Sequence, residues 1–458
     1  MPIESSPFRG IPSLLHDVAD RAARYIKDLD ARAPFPGLPA LEKMAALDRG
    51  LPEAPCAPAD TIALLDEASR ATVGSTGGRY FGFVTGGVLP AALGASWLTT
   101  AWDQNAFNTL SSPAAARIEA IALRWTLDVL GLPSDTAAAF VTGTTMGHVT
   151  ALAAARHALL ARKGWDVEAD GLAGSPPLLV VVSEEAHSTL GKALAVLGLG
   201  KNRVRAVPTD AQGRMRPEAL GDLDDATIVC AQAGNVNTGA FDPLMEICAH
   251  AHAAGAWVHV DGAFGLWAAA APSTRAHTVG LEQADSWATD FHKWLNVTYD
   301  SGLAGVRDGE ALRSAFAMRA PYLLMGESRE PMDYTAESSR RARGTEVWAA
   351  LHSLGRQGVA DQVERCCAHA RRFGVALSDA GCDVRNDVVL NQVLVSFGDD
   401  ARTRRVIDAV QRDGTCWCGE GVWRDRVSMR ISVSSWATTE EDVGRSLEAI
   451  LRCNAATD

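Results

Sequence analysis

The sequence predicts an α/β protein with a mostly parallel central sheet and a small α+β carboxy-terminal domain. Two observations carry this. From about residue 137, short continuously apolar runs alternate with stretches whose apolar residues recur at helical spacing. Runs of that kind belong to strands covered by helices on both faces. After about residue 350 the alternation gives way to one long helical stretch and two strand-like runs.

Residues 1–75 read as a helical arm. Ile11, Leu14, Leu15, Val18, Ala22 and Ile26 lie three and four apart, as on one face of a helix. The prolines that follow, from Pro34 to Pro58, break the chain too often for a core of its own. The arm is expected to pack on the main domain or on a second subunit. Residues 76–350 read as the large domain. Its expected strands are Ala137–Val141, Leu178–Val182, Ala226–Ala231, Trp257–Val260 and Ser286–Thr289, with a helix through Ala151–Leu160. Residues 351–458 read as the small domain, with a helix over Val359–Leu377 and strands over Val388–Phe397 and Val427–Ser434.

Composition narrows the partners. The 458 residues are 47% hydrophobic and carry 43 Lys and Arg against 55 Asp and Glu, a net charge of −12. That balance disfavours nucleic acid or an anionic membrane as the main partner. No apolar run is long enough to span a bilayer, and no basic segment followed by an apolar core opens the chain. Nine cysteines, an odd number spread over a large chain, suit a reducing compartment, so a cytoplasmic protein is expected.

The chemistry concentrates in two segments. Lys293 follows an apolar strand inside a His292-Lys293-Trp294 triplet, and Asp261 ends the strand that begins at Trp257. Each has an ordinary reading alone, as a snorkelling lysine or a helix-capping aspartate. Together they match what pyridoxal phosphate requires: an amine to hold it covalently and a carboxylate to keep its ring nitrogen protonated. The cofactor also needs a phosphate anchor. The segment Phe140 to Thr150 supplies a strand, a turn of Gly and Thr, and a helix start. Such turns are common in themselves.

These segments resemble the group II pyridoxal-phosphate-dependent amino-acid decarboxylases, the family of the aromatic-amino-acid, glutamate and 2,4-diaminobutyrate enzymes. The resemblance rests on His259-Val-Asp261-Gly-Ala, Ser286-Trp-Ala-Thr-Asp290-Phe-His292-Lys293-Trp294 and Ser183-Glu-Glu-Ala-His187-Ser188. Asn235-Val-Asn237-Thr-Gly-Ala-Phe-Asp242-Pro and Met429-Arg430-Ile-Ser-Val-Ser extend it, so that it runs from about residue 80 to 442. It implies the aspartate-aminotransferase-like fold type I and a homodimer with its active site at the subunit interface. It implies decarboxylation of an L-amino acid to the amine and carbon dioxide. Other reactions on the same cofactor remain the alternative: oxidative decarboxylation-deamination to an aldehyde, transamination or retro-aldol cleavage.

The resemblance also implies residue roles. Lys293 would carry the cofactor, Asp261 would pair with its ring nitrogen, and His187 would stack over the ring, although a helix-capping role is its ordinary reading. Thr144, Thr145 and Met146 would contact the phosphate, Met146 by its backbone, with His292 on the same side. Asn235 and Asn237 stand where many relatives have threonines near the cofactor. Tyr322 would protonate the substrate carbon, or is an aromatic packed at a loop base. Arg430 would hold a substrate carboxylate, or forms a structural salt bridge. Phe81 and Trp102, part of an aromatic-rich stretch, would line the substrate pocket or belong to the core. They tilt the expected substrate towards an aromatic amino acid, whereas Arg430 points equally to any carboxylate. No metal site is expected: Cys248, His250 and His252 lie two apart and cannot share one helix face.

Overall fold

The computed structural model describes residues 10–48, 50–318 and 329–457. A seven-stranded sheet forms the centre: β1 (Ala137–Val141), β2 (Leu179–Ser183), β3 (Val204–Val207), β4 (Thr227–Gln232), β5 (Trp257–Asp261), β6 (Ser286–Asp290) and β7 (Gly302–Val306). Their spatial order is β1-β7-β6-β5-β4-β2-β3. Pairs from β3 to β6 are parallel, and β7 runs antiparallel to both of its neighbours. The five strands expected from apolar runs are present within a residue or two. The other two escape that test. In β3, Arg205 interrupts a short run, and β7 is Gly302-Leu-Ala-Gly-Val306, too poor in β-branched residues to read as a strand.

Gly302 has a reason to lack a side chain. A Cβ there would sit 2.6 Å from the Gly143 Cα, where the turn after β1 crosses β7. Helix α1 (Thr144–Arg162) starts at that turn and buries most of its length against the sheet.

Helix α2 (Gly344–Asp379) leads out of the large domain, broken at Gly355, whose φ of +60° is left-handed. The boundary expected at 350 therefore falls inside a helical segment. Beyond it, β8 (Asp383–Val384), β9 (Gln392–Ser396), β10 (Gly419–Trp423) and β11 (Arg426–Ser432) make a four-stranded antiparallel sheet, in the order β10-β11-β9-β8. Residues 388–391, expected as strand, precede β9 as irregular chain. One apolar cluster runs from Phe81 through β5 and α2 to Ile431 and Cys453, so both sheets share a core. The amino-terminal helix Ile11–Lys27 matches the expected arm but buries no residue; Ile11, Leu15 and Ile26 are exposed.

Candidate active site

Parallel strands deliver their last residues to a common edge, and helices that follow them begin there. Here that edge holds the chemistry. Strand β5 ends at Asp261, β6 at Asp290, and β4 at Gln232; β1 runs into Gly143 and Thr144, and β2 into His187. These converge on a cavity of about 480 Å³, closed from the small domain by Arg430 on β11.

Lys293 reaches into this cavity from the turn of helix after β6. Its Nζ lies 2.8 Å from Asp290 Oδ2. The same carboxylate accepts the Thr144 backbone N–H at 2.6 Å and stands 3.5 Å from His292 Nε2. Asp290 thus ties the lysine to the helix start across the sheet. It was part of the sequence motif, but nothing in its type or spacing assigned it a role.

Asp261 is buried. Burial alone would raise its pKa, yet the adjacent His148, chiefly by charge, holds the carboxyl well below its usual range. His187 does two jobs. Its Nδ1 accepts the Thr189 N–H at 3.3 Å, capping the helix Ser188–Val196, while the ring faces the cavity. Accepting at Nδ1 places its remaining proton on Nε2, and burial pulls its pKa below the ordinary value, so the ring is neutral. Burial likewise lowers His292, against the opposing pull of Asp290.

Arg430 lies on the wall, and its side chain makes one hydrogen bond among the described residues, to Val236 O at 3.5 Å. Among the described residues no carboxylate pairs with it, so the salt-bridge alternative finds no partner. Burial lowers its pKa, which marks a desolvated cation facing the cavity.

Five expected residues stand elsewhere. Phe81 is core, edge-on to Phe373 at 5.2 Å, because its backbone bridges the Trp417 and Ser432 chains and its ring turns inward. Trp102 ends the helix Pro90–Trp102, half-exposed and off the cavity wall. Met146 packs with the apolar cluster between α1 and the sheet, and does not line the cavity. Asn235 Oδ1 accepts the N–H groups of Asn237 and Thr238, closing a turn that places Gly234 and Val236 on the wall instead. Asn237 itself is off the wall. Phe83 and Val84 take the place expected of Phe81; both have left-handed φ, +54° and +57°, a strained conformation for a β-branched residue such as Val84. Tyr322 lies outside the described residues.

Comparison with known proteins agrees with this geometry. Residues 75–396 match the pyridoxal-dependent decarboxylase conserved domain. The chain belongs to that family. Among its relatives, tryptophan decarboxylase 1 of Oryza sativa subsp. japonica is 27% identical over 96% of this chain and 93% of its own. Phenylacetaldehyde synthase of Arabidopsis thaliana is 26% identical over 75% of each chain. The crystal structure of Oryza sativa TDC with PLP and tryptamine superposes with a TM-score of 0.90 at 24% identity, covering 100% of this chain and 99% of that one. The fold is therefore that of the fold type I pyridoxal-phosphate enzymes, and the chain is a pyridoxal-phosphate-dependent amino-acid decarboxylase.

The residues present fit the cofactor. A lysine amine, an ionised carboxylate and a histidine ring face one cavity of suitable volume. Among the described residues Thr144 Oγ1, buried at the helix start, has no hydrogen-bond partner, as expected of a hydroxyl suited to a phosphate oxygen.

The buried histidines of this decarboxylase make stability acid-sensitive. Burial, helped by His148, holds His259 down to about 3. Between about pH 6.5 and 3 the unfolded chain takes up a proton at this site and the folded chain does not, so stability falls as pH drops. At about 1.4 kcal/mol per pKa unit the loss approaches roughly 5 kcal/mol at the acid end. Urea unfolding of the cofactor-free protein at several pH values should show this slope, and His259→Gln should flatten it. An equal slope in the variant would assign the acid loss to other groups.

Proposed function

We propose that this decarboxylase converts an aromatic L-amino acid to its amine and carbon dioxide, acting as a homodimer. The observation that carries the substrate class is the cavity wall. Beyond the cofactor-facing groups it presents Phe83, Val84, Val236 and Phe264, with Arg430 as its free cation among the described residues. One guanidinium suits the single carboxylate of an aromatic amino acid, and the apolar wall suits its side chain. The relatives named as tryptophan and tyrosine decarboxylases support this reading.

The chain's residues divide the work as follows. Lys293 would hold the cofactor covalently through Nζ, releasing Asp290. Thr144, Thr145 and His292 would bind the phosphate, and His187 would cover one ring face as a neutral imidazole. Asp261 would keep a proton on the ring nitrogen. When bound, the cofactor supplies an electron sink for the pair left on the substrate carbon as carbon dioxide departs. Arg430 would fix the amino acid so that the breaking bond stands perpendicular to that sink. Tyr322, assigned by resemblance, would return a proton to the carbon, as a phenol protonated at neutral pH is able to do.

Several surface features support the dimer. Ile11, Leu15 and Ile26 of the amino-terminal helix, with Trp97 and Trp102, leave large apolar side chains in solvent. All nine cysteines are free, which supports a reducing, cytoplasmic setting.

A substrate panel read by mass spectrometry tests the reaction. The proposal expects amines from aromatic amino acids and little turnover of glutamate or diaminobutyrate. Amine from an acidic or diamino substrate alone would overturn the substrate class. In air, Tyr322→Phe should divert product from amine to aldehyde, consuming dioxygen and water and releasing carbon dioxide, ammonia and hydrogen peroxide; an unchanged amine yield would remove Tyr322 from the proton-donor role.

A further inference from the structure

A row of buried polar groups stands behind Asp261, off the cavity wall, with no part in the steps above. Trp257 Nε1 donates to Ser286 Oγ at 2.9 Å. Ser286 Oγ meets His259 Nδ1 at 2.9 Å, and His259 Nε2 meets His148 Nδ1 at 2.9 Å. His148 Nε2 then lies 3.4 Å from Asp261 Oδ2, short of hydrogen-bond geometry, and makes no hydrogen bond among the described residues. Ser286, His259 and His148 are wholly shut off from solvent. The fold makes this row. Successive residues of one strand face alternately, so His259 shares a face of β5 with Trp257 and Asp261. His148 sits one turn into α1 from Thr144, on the face turned to the sheet.

The row has a direction. An indole N–H only donates, so Ser286 Oγ accepts from Trp257 and has its single proton left for His259 Nδ1. His259 then carries its own proton on Nε2 and donates it to His148 Nδ1. The His148 proton is left on Nε2, facing Asp261. The reverse order would strand the Ser286 hydroxyl hydrogen in a dry site. In neutral rings it would also set the bare Nε2 of His148 against a carboxylate oxygen, and both cost buried hydrogen-bonding groups their partners.

We propose that His148 and His259 are positioning residues: a one-way chain of hydrogen bonds from Trp257 to His148 turns the His148 Nε2–H towards Asp261, keeping that carboxylate ionised and oriented for the cofactor's ring nitrogen. The proposal rests on the role given to Asp261 above. Two consequences follow from it. His148 faces the carboxylate from behind at Oδ2, while Oδ1 accepts the Ala263 backbone N–H at 3.1 Å and keeps a second lone pair. The charge it presents is set by a donor that does not exchange with solvent. The burial that suppresses protonation of His259 agrees with such a chain.

The direct test is the tautomer of each ring. In the protein labelled with nitrogen-15 at histidine, the two signals assigned to His148 and His259 through single variants should each show a bare Nδ1 and a protonated Nε2. This should hold without cofactor, so the outcome stands apart from the role of Asp261 in the reaction. A proton on Nδ1 of either ring would overturn the proposal. The second arm uses the holoenzyme. His148→Met removes both hydrogen-bonding ends and should weaken cofactor binding and lower kcat, each by roughly 10- to 100-fold. His148→Gln keeps an acceptor for His259 and a donor for Asp261, and should recover most of that loss. Equal behaviour of Met and Gln at 148 would reduce His148 to a space-filling role and refute the chain.

Discussion

Replacing Lys293 with alanine is expected to lower kcat by roughly 10³-fold or more while leaving a folded protein that still binds pyridoxal phosphate. The reasoning starts from the contacts of the side chain. Its Nζ makes one ion pair, to Asp290, and its aliphatic stem is part of the cavity wall rather than the core. After truncation Asp290 keeps the Thr144 N–H and the nearby His292, so no buried charge is left bare. The loss is chemical: no amine remains to hold the cofactor covalently or to move protons beside the substrate carbon. Turnover assays together with equilibrium cofactor binding check this. Turnover near the parental level would dismiss Lys293 as the anchoring amine. Complete loss of folding would show that the Asp290 pair carries far more stability than a single partly exposed ion pair should.

Replacing Asp261 with asparagine is expected to lower activity far more than stability. A neutral amide cannot hold a proton on the ring nitrogen, so kcat should fall by roughly 10²- to 10³-fold, the scale of losing one preorganised electrostatic partner. The cofactor-free protein should be only modestly less stable: the fold holds this carboxyl below its usual range, so losing the charge gives up some stability, while the amide avoids the cost of burying an ion. Asparagine Oδ1 still faces the His148 N–H, which keeps the histidine row in place. Thermal unfolding of the cofactor-free variant beside holoenzyme kinetics separates the two effects. A large loss of stability without cofactor would mean that Asp261 is structural first.

Much of this site was legible in the sequence because its residues sit where strands end. Asp261 and Lys293 each follow a run of apolar residues too short for a helix, and the parallel order that such runs imply carries both to one edge of the sheet. What stayed hidden depends on directions that spacing does not encode. Phe81 and Phe83 are two apart, and only the left-handed backbone at Phe83 and Val84 decides which of them faces the cavity. Asn235 reads as a cofactor ligand, but a short polar side chain in a turn bonds the nearest backbone N–H groups first. Asp290 and His148 matter through partners more than a hundred residues away, a pairing that no local pattern displays. β7 was hidden for a related reason. Its two glycines weaken the strand signal, and one of them, Gly302, is there for the close crossing at Gly143.

The central claim is that one cavity, closed by Lys293 on one side and Asp261 on the other, holds pyridoxal phosphate through a covalent bond to Lys293. Loading the protein with the cofactor, reducing it with borohydride and mapping the peptides by mass spectrometry tests this most directly. A single phosphopyridoxyl group on Lys293, present in stoichiometric amount and absent from the other lysines, is the predicted result. Label on a different lysine, or stoichiometric cofactor that borohydride cannot fix to the chain, would contradict it.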